Sequence, residues 1–176
     1  EGDGIDPHIW FAPSVMAQFA IAVGEAFAQA DPAAAGQYRD RADGVAATLD
    51  GLHREIDELL ADCRHDTVIV SHEAYAYLLS ERGIRQEGVS GAGGHGEATP
   101  QRIAALVDTI RRDRITAVLT EPVEGRQDAE SVAAEAGVDL IQIYSLDIVD
   151  DQQRASGYPQ LVLEQAEAVA RALECG

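Results

Sequence analysis

The sequence has no long hydrophobic run and few basic residues. No apolar stretch approaches the roughly 18 residues of a membrane-spanning helix, so we expect no direct membrane insertion. Its 176 residues include 13 basic and 31 acidic side chains, a formal net charge of −18, and all 13 basic residues are arginine. Phosphate backbones and anionic lipids repel such a chain, which disfavours nucleic acid and membrane surfaces as partners. Cations are the partners that this charge attracts.

Cysteine is scarce, and the chain starts without a methionine or an apolar signal segment. Cys63 and Cys175 are too few for a disulfide scaffold, and no C-x-x-C pair is present for redox or zinc chemistry. The first residue is Glu1, from which we expect a processed product or a fragment of a longer protein. With 46% apolar and 25% charged residues, the chain can still bury the core of one ordinary domain.

Apolar spacing predicts two helices in the first third of the chain. Val15, Phe19, Val23 and Phe27 recur every four residues and predict an amphipathic helix that ends near residues 31–32. From Pro32 the apolar residues step by three and four to about residue 61, which makes a helix about 45 Å long. Because that is longer than a small domain is wide, we expect it to span two lobes; a coiled coil is the alternative.

From residue 63 onward the pattern alternates between strands and helices. Short apolar strands are predicted at residues 67–71, 84–89, 117–120 and 140–144, and helices at 73–81, 100–110, 128–136 and 158–173. Continuous apolar strands separated by helices indicate a parallel sheet that is covered on both faces. The predicted fold is therefore α/β: a four-stranded parallel sheet with helices on both faces, preceded by the long spanning helix.

Polar side chains follow these strands at the edge where parallel sheets bind ligands. The first strand is followed by His72, the third by Glu121 and the fourth by Asp147. One imidazole and two carboxylates suit zinc or manganese. His8 lies in a rigid segment where Asp6 could take its second N–H. Each residue also has a purely structural alternative. His72 could be a packing or capping histidine, and Glu121 a helix-cap or ion-pair carboxylate. Asp147 could simply begin a polar turn, and His8 could lie in a frayed N-terminus.

Two sequence patterns point to other functions. The GAGGHG stretch at residues 91–96 has the spacing of a dinucleotide-binding loop, but Glu97 separates it from the next helix and opposes a phosphate. His72-Glu73 begins the H-E-x-x-H pattern of zinc proteases, but Ala76 occupies the second histidine position. A zinc-dependent hydrolase with an open coordination position is the alternative function, and a metal-free adhesion or interaction module is a third.

Four motifs in order resemble the solute-binding proteins of zinc and manganese ABC importers. They are DPHIWFAP at residues 6–13, SHEAYAY at 71–77, LTEP at 119–122 and LD at 146–147. Tyr158, which opens the final helix, also fits. The resemblance covers essentially the whole chain, and the ordered combination is specific although each motif alone is weak.

The resemblance implies a metal site that is completed by a second lobe. His8 and His72 would be nitrogen ligands, Asp147 the carboxylate ligand, and Glu121 a supporting residue. Residues 1–32 would form an inter-lobe segment, 33–62 the spanning helix and 63–176 the C-terminal lobe, with the N-terminal lobe and its histidine ligand absent. Because His72 stands where manganese-type members usually carry glutamate, zinc is favoured over manganese.

The resemblance also implies partners and a location. The protein would be a monomer that captures zinc outside the cytoplasm, in the periplasm or as a cell-surface lipoprotein, and hands it to a membrane permease without catalysis.

Cys63 precedes the first predicted strand and Cys175 ends the last predicted helix, so both could lie at the amino edge of the sheet. We predict a disulfide between them, because unpaired thiols are a liability in an oxidising compartment.

Overall fold

A computed structural model describes residues 6–90, 98–123 and 125–176. A helical hairpin comes first and an α/β unit follows it. The strands are β1 (Thr67–Val70), β2 (Arg85–Gly88), β3 (Ala117–Thr120) and β4 (Asp139–Gln142). The α-helices are α1 (Pro13–Ala30), α2 (Ala35–Leu59), α3 (Ala76–Leu79), α4 (Pro100–Asp113), α5 (Arg126–Ala136), α6 (Asp151–Ser156) and α7 (Tyr158–Leu173).

The four strands form one parallel sheet in the order β2-β1-β3-β4. β1 and β3 are central, and the apolar residues of β1 are buried on both faces. This confirms the predicted four-stranded parallel sheet. All four carboxyl ends point to the same edge, which brings the residues after β1, β3 and β4 close together.

Two apolar layers cover the sheet. Val68 and Val70 of β1 pack into a cluster with residues of α2, α3 and α7, whereas Ile69 packs with α4 and α5. Adjacent strand residues point to opposite faces, so one short strand contributes to both layers. The helices therefore lie on both faces, as the sequence pattern predicts.

The long helix is shorter at both ends than predicted. Residues Pro32–Ala34 form a 3-10 turn, and α2 spans 25 residues from Ala35, which corresponds to about 37 Å. Pro32 therefore opens the 3-10 turn and is not the first residue of the α-helix. The α-helix starts one turn later because Ala34, with φ −109° and ψ 12°, lies outside α-helical geometry.

The apolar stripe of α1 is correctly placed in a helix, but it is mostly exposed, apart from Phe27, whose ring packs on Tyr38 of α2 with the centroids 5.6 Å apart. Phe19 and Phe27 are 60% and 54% exposed, whereas Ala17, Gly24 and Ala28 are buried. A Cβ on Gly24 would lie 2.4 Å from the Cβ of Ala42. The two helices approach so closely there that only small residues fit, and the larger stripe residues lie at the side of this contact or in solvent.

Several other boundaries differ from the sequence prediction. The helix expected at residues 73–81 is only Ala76–Leu79, followed by a 3-10 turn that ends at Gly83 with φ +69°. β4 begins and ends earlier than expected. Helix α6 is not predicted by apolar periodicity; it begins with a capping box in which Asp150 and Gln153 exchange side-chain and backbone hydrogen bonds.

A disulfide joins Cys63 to Cys175, 112 residues apart. It links the chain just before β1 to the second residue after α7, at the end of the sheet opposite to the predicted ligands. No helix among the described residues is long and apolar enough to cross a membrane.

Candidate metal centre

The His8 segment is a rigid stretch before α1. Residues Ile9–Phe11 form a 3-10 turn, and Pro13 occupies the first turn of α1. Phe11 is fully buried and packs on Tyr75, with the ring centroids 5.1 Å apart. These contacts fix the backbone that follows the histidine, and His8 itself is buried, so it is not part of a frayed terminus.

Asp6 holds the imidazole of His8. One Asp6 carboxylate oxygen accepts the His8 backbone N–H at 2.9 Å and lies 2.6 Å from Nδ1 of the ring. The His8 side chain is only 10% exposed. Because Nδ1 is engaged by a carboxylate, Nε2 is the nitrogen that the ring presents as a ligand.

His72 has the same arrangement at the carboxyl end of β1. Its Nδ1 lies 3.3 Å from a carboxylate oxygen of Glu121, which follows β3. The side chains of His72 and Glu121 are 12% and 7% exposed. Since β1 and β3 are neighbours in the sheet, the parallel register brings two residues 49 positions apart into contact.

The two imidazoles lie side by side. The ring centroids of His8 and His72 are 5.1 Å apart, and the rings are inclined by 72°. Each Nδ1 is held by a carboxylate, so the pair carries the outer-shell arrangement that is typical of zinc-binding histidines.

Glu121 is the centre of a buried hydrogen-bond network. Besides His72, its carboxylate accepts the hydroxyl of Tyr75 at 3.0 Å and the backbone N–H of Ser145 at 3.3 Å. Burial alone would raise the pKa of Glu121, but the hydrogen bonds from His72, Ser145 and Tyr75 outweigh it and hold the pKa below its ordinary value. Glu121 is therefore an ionised carboxylate that keeps the His72 ring in place.

Asp147 is the third predicted ligand. It is exposed, in the turn that follows β4. Among residues 6–90, 98–123 and 125–176, no three histidine, cysteine, aspartate or glutamate side chains are grouped as a metal site. The structure thus brings together His8 and His72 with Asp6 and Glu121, but it does not gather all three predicted ligands into one cluster.

Three contributors to the site were not singled out from the sequence: Trp10, Tyr75 and Ser145. Tyr75 and Trp10 lie inside the recognised motifs, so the motifs contain a signal for them. Ser145 acts through backbone atoms, which leaves no signal in its residue type. The GAGGHG loop with His95, and Glu97 after it, lie outside the described residues.

Comparison with known proteins gives the family. The model of the ZnuA family, described as the periplasmic component A of a zinc-uptake complex, matches residues 1–172. The manganese-binding lipoprotein MntA of Halalkalibacterium halodurans is 25% identical over 142 residues, which are 80% of this chain and 47% of MntA. The zinc-binding protein AdcA of Streptococcus pyogenes serotype M6 is 22% identical over 152 residues, 86% of this chain and 30% of AdcA.

Solved structures share the fold. A crystal structure of ZnuA superimposes with a TM-score of 0.84 and 24% identity, covering 98% of this chain and 63% of that one. The laminin-binding protein Lmb of Streptococcus agalactiae, whose structure title names adhesin and metal-transporting activity, gives 0.83 at 20% identity and covers 96% and 65%. The chain spans about half the length of MntA and less than two thirds of these structures. Because the family model matches the chain from residue 1 to residue 172, this chain belongs to the ZnuA family of periplasmic zinc-uptake components.

Proposed function

We propose that this chain captures zinc outside the cytoplasm as the C-terminal lobe of an ABC importer's metal-binding component, which delivers the ion to a membrane permease. The observation that carries the proposal is the pair of imidazoles, 5.1 Å apart, each held at Nδ1 by a carboxylate. Membership of the ZnuA family and the metals named for MntA and AdcA support the cargo and the partner.

His8 and His72 would bind the ion through Nε2, and Asp147 would add a carboxylate from the turn after β4. A further ligand would come from an N-terminal lobe, which completes the four ligands that zinc prefers. Asp6 and Glu121 keep the rings oriented and make them better ligands. The net charge of −18 draws cations toward the chain. The function is binding and release, and no bond of a substrate is broken.

The choice of zinc over manganese rests on the ligand types. Two imidazoles with one carboxylate favour zinc, which also stands above manganese in the general order of divalent affinities. Manganese would compete better if carboxylates outnumbered imidazoles in the site. The finding that MntA is named for manganese shows that relatives of this chain are associated with both metals.

A two-lobed protein explains the outer face of the helical hairpin. We propose the division into residues 1–32, 33–62 and 63–176, with an N-terminal lobe packed on α1 and α2. The support is the exposed aromatic stripe and the greater length of the relatives. The Cys63–Cys175 disulfide supports an oxidising location such as the periplasm or the cell surface.

The test is a competition titration of zinc and manganese on the parent chain and on His8→Ala, His72→Ala and His53→Ala. His53, on α2, contacts Asp57 and Arg82 and is the matched control. We expect one zinc per chain, weaker manganese binding, a loss of about 100-fold or more with either site variant, and no change with the control. Zinc affinity that neither His8→Ala nor His72→Ala changes would overturn the proposal. Zinc-dependent hydrolysis of activated esters would favour the alternative function, a zinc-dependent hydrolase.

A further inference from the structure

A hydrogen bond joins the His8 segment to the turn that carries Asp147. The indole Nε1–H of Trp10 donates to the backbone carbonyl of Ser145 at 2.8 Å, across 135 residues of sequence. Trp10 is two residues after His8, and Ser145 is two residues before Asp147. A single side chain therefore bridges the elements that hold two of the proposed ligands.

Ser145 is also held from the other side. Its backbone N–H donates to Glu121 Oε2 at 3.3 Å, while Glu121 Oε1 lies 3.3 Å from Nδ1 of His72. Ser145 is only 8% exposed, so water does not readily replace these bonds. A continuous path of contacts thus runs from Trp10 through Ser145 and Glu121 to His72.

The bridged turn has a strained backbone. Leu146, between Ser145 and Asp147, has φ +65°, which is unfavourable for a residue with a side chain. Such a conformation persists only where the surrounding structure enforces it, and such positions cluster at ligand-binding sites. The two hydrogen bonds on Ser145 and the packing of Leu146 against the core supply that enforcement.

Trp10 is itself fixed in place. The hydroxyl of Tyr158, the first residue of α7, donates to the Trp10 carbonyl at 2.6 Å. Burial raises the pKa of Tyr158, so this phenol stays protonated and remains a donor. The indole also packs edge-on against the His8 ring, with the centroids 5.4 Å apart. Trp10 is thus rigid enough to transmit the position of one segment to the other.

We infer that Trp10 is a positioning residue, whose indole N–H ties the His8 segment to the strained turn and so directs Asp147 toward the two imidazoles. The inference rests on the proposed function, because it assigns Trp10 a part in assembling the zinc site. Trp10 does not touch the ion; it acts through Ser145.

The first test uses the metal-free chain and substitutes Trp10→Phe, which keeps an aromatic ring but removes the N–H donor. We expect the Ser145 amide to exchange with solvent about tenfold faster, since Ser145 loses one of the two hydrogen bonds that hold it. The Ile143 amide, which donates to Thr120 in the sheet, is expected to be unchanged. Tyr144→Phe, next to the turn but outside the bridge, is the matched control and should change neither amide.

The second test is a double-mutant cycle on zinc affinity with Trp10→Phe and Asp147→Ala. In the parent background we expect Trp10→Phe to weaken zinc binding about tenfold. In the Asp147→Ala background the same substitution should have little further effect, because Trp10 acts through the turn that carries Asp147. Equal losses in both backgrounds would overturn the inference, as would unchanged exchange of the Ser145 amide.

The amide-exchange test and the zinc-affinity test together distinguish a failure of this inference from a failure of the proposed function. If the parent chain binds no zinc, the function fails, and the exchange experiment alone decides whether Trp10 restrains the turn. If zinc binds through His8 and His72 but Trp10→Phe changes neither exchange nor affinity, only the inference fails. Should Trp10→Phe unfold, Tyr158→Phe loosens the same bridge by removing the bond to the Trp10 carbonyl, and faster Ser145 exchange is again expected.

Discussion

At the scale of single residues, Glu121 contributes most to the order of the site. Glu121 is buried, yet its carboxylate is ionised because three donors surround it. A buried charge is tolerated only when its hydrogen bonds are made, so Glu121 and its donors depend on one another. Its backbone N–H is also bound, by the hydroxyl oxygen of Ser71 at 3.0 Å.

Glu121→Gln tests this network, since it keeps the shape and removes the charge. We expect the free energy of unfolding at neutral pH to fall by about 1–3 kcal/mol, because an amide cannot accept all three hydrogen bonds equally well. Zinc affinity should fall about 10- to 100-fold through the looser His72 ring. Chemical denaturation and zinc titration measure the two effects, and Glu55→Gln on the exposed face of α2 is the control.

The stability difference between the parent and Glu121→Gln should depend on pH. Because the folded state lowers the pKa of Glu121, the ionised carboxylate stabilises the fold fully above its ordinary pKa. That contribution is lost as the pH falls through the lowered pKa. The difference should therefore be largest near neutral pH and shrink in acid; a constant difference would contradict an ionised Glu121.

At the scale of the elements, the α1–α2 hairpin has an especially close contact at Gly24. Gly24 of α1 faces Ala42 and the backbone carbonyl of Tyr38 on α2, with no room for a methyl group. Arg39 and Glu25 also pair across the hairpin at 2.6 Å, but both are exposed, so this ion pair contributes little. The packing of small residues therefore decides how the two helices sit together.

Gly24→Ala is expected to destabilise the chain by about 1–3 kcal/mol, because the added methyl overlaps Ala42 and pushes the helices apart. The matched control is Gly44→Ala on α2, where a Cβ meets nothing within 4 Å. That substitution should stabilise by about 0.4–1 kcal/mol, since it removes only unfolded-state freedom. Thermal or denaturant unfolding of both variants measures the contrast, and equal effects would refute the close contact.

At the scale of the whole molecule, the disulfide closes a loop that contains the entire sheet. The bond between Cys63 and Cys175 restrains the two ends of the α/β unit across 112 residues. Because such a link chiefly reduces the freedom of the unfolded chain, the stabilisation grows with the size of the loop.

Replacing both cysteines by alanine should lower the free energy of unfolding by about 2–5 kcal/mol. Denaturant unfolding with and without a reducing agent measures this. The reductant should destabilise the parent to a similar extent and leave the double variant unchanged. A parent chain that is insensitive to reduction would show that the bond does not contribute.

The outer face of the hairpin gives a second prediction at this scale. Phe19→Ala should change the stability of this chain by about 0.5 kcal/mol or less, because this residue is mostly exposed. Phe27→Ala should cost somewhat more, about 0.5–1.5 kcal/mol, because its ring also packs on Tyr38. Phe11→Ala, at a fully buried ring, should cost about 3–5 kcal/mol. If an N-terminal lobe packs on this face in a longer protein, the Phe19 and Phe27 substitutions should destabilise that protein markedly; no effect there would refute the two-lobe proposal.

The sequence by itself determined the α/β architecture and most of the candidate site. β3 and α7 have the predicted bounds, because apolar runs, prolines and glycines act over a few neighbouring residues. The motifs pointed to His8, His72 and Glu121 for a similar reason: each lies inside or directly after a short, recognisable stretch.

Only the tertiary structure decided which surfaces meet. The aromatic stripe of α1 is mostly exposed and several of its small residues are buried, because the fit of Gly24 to Ala42 depends on a second helix that periodicity cannot describe. The pairing of His8 with His72, the three donors to Glu121 and the bond from Trp10 to Ser145 all join residues far apart in sequence. Such contacts follow from the order and register of the sheet and from how the His8 segment packs against it, and no local pattern of residues encodes them.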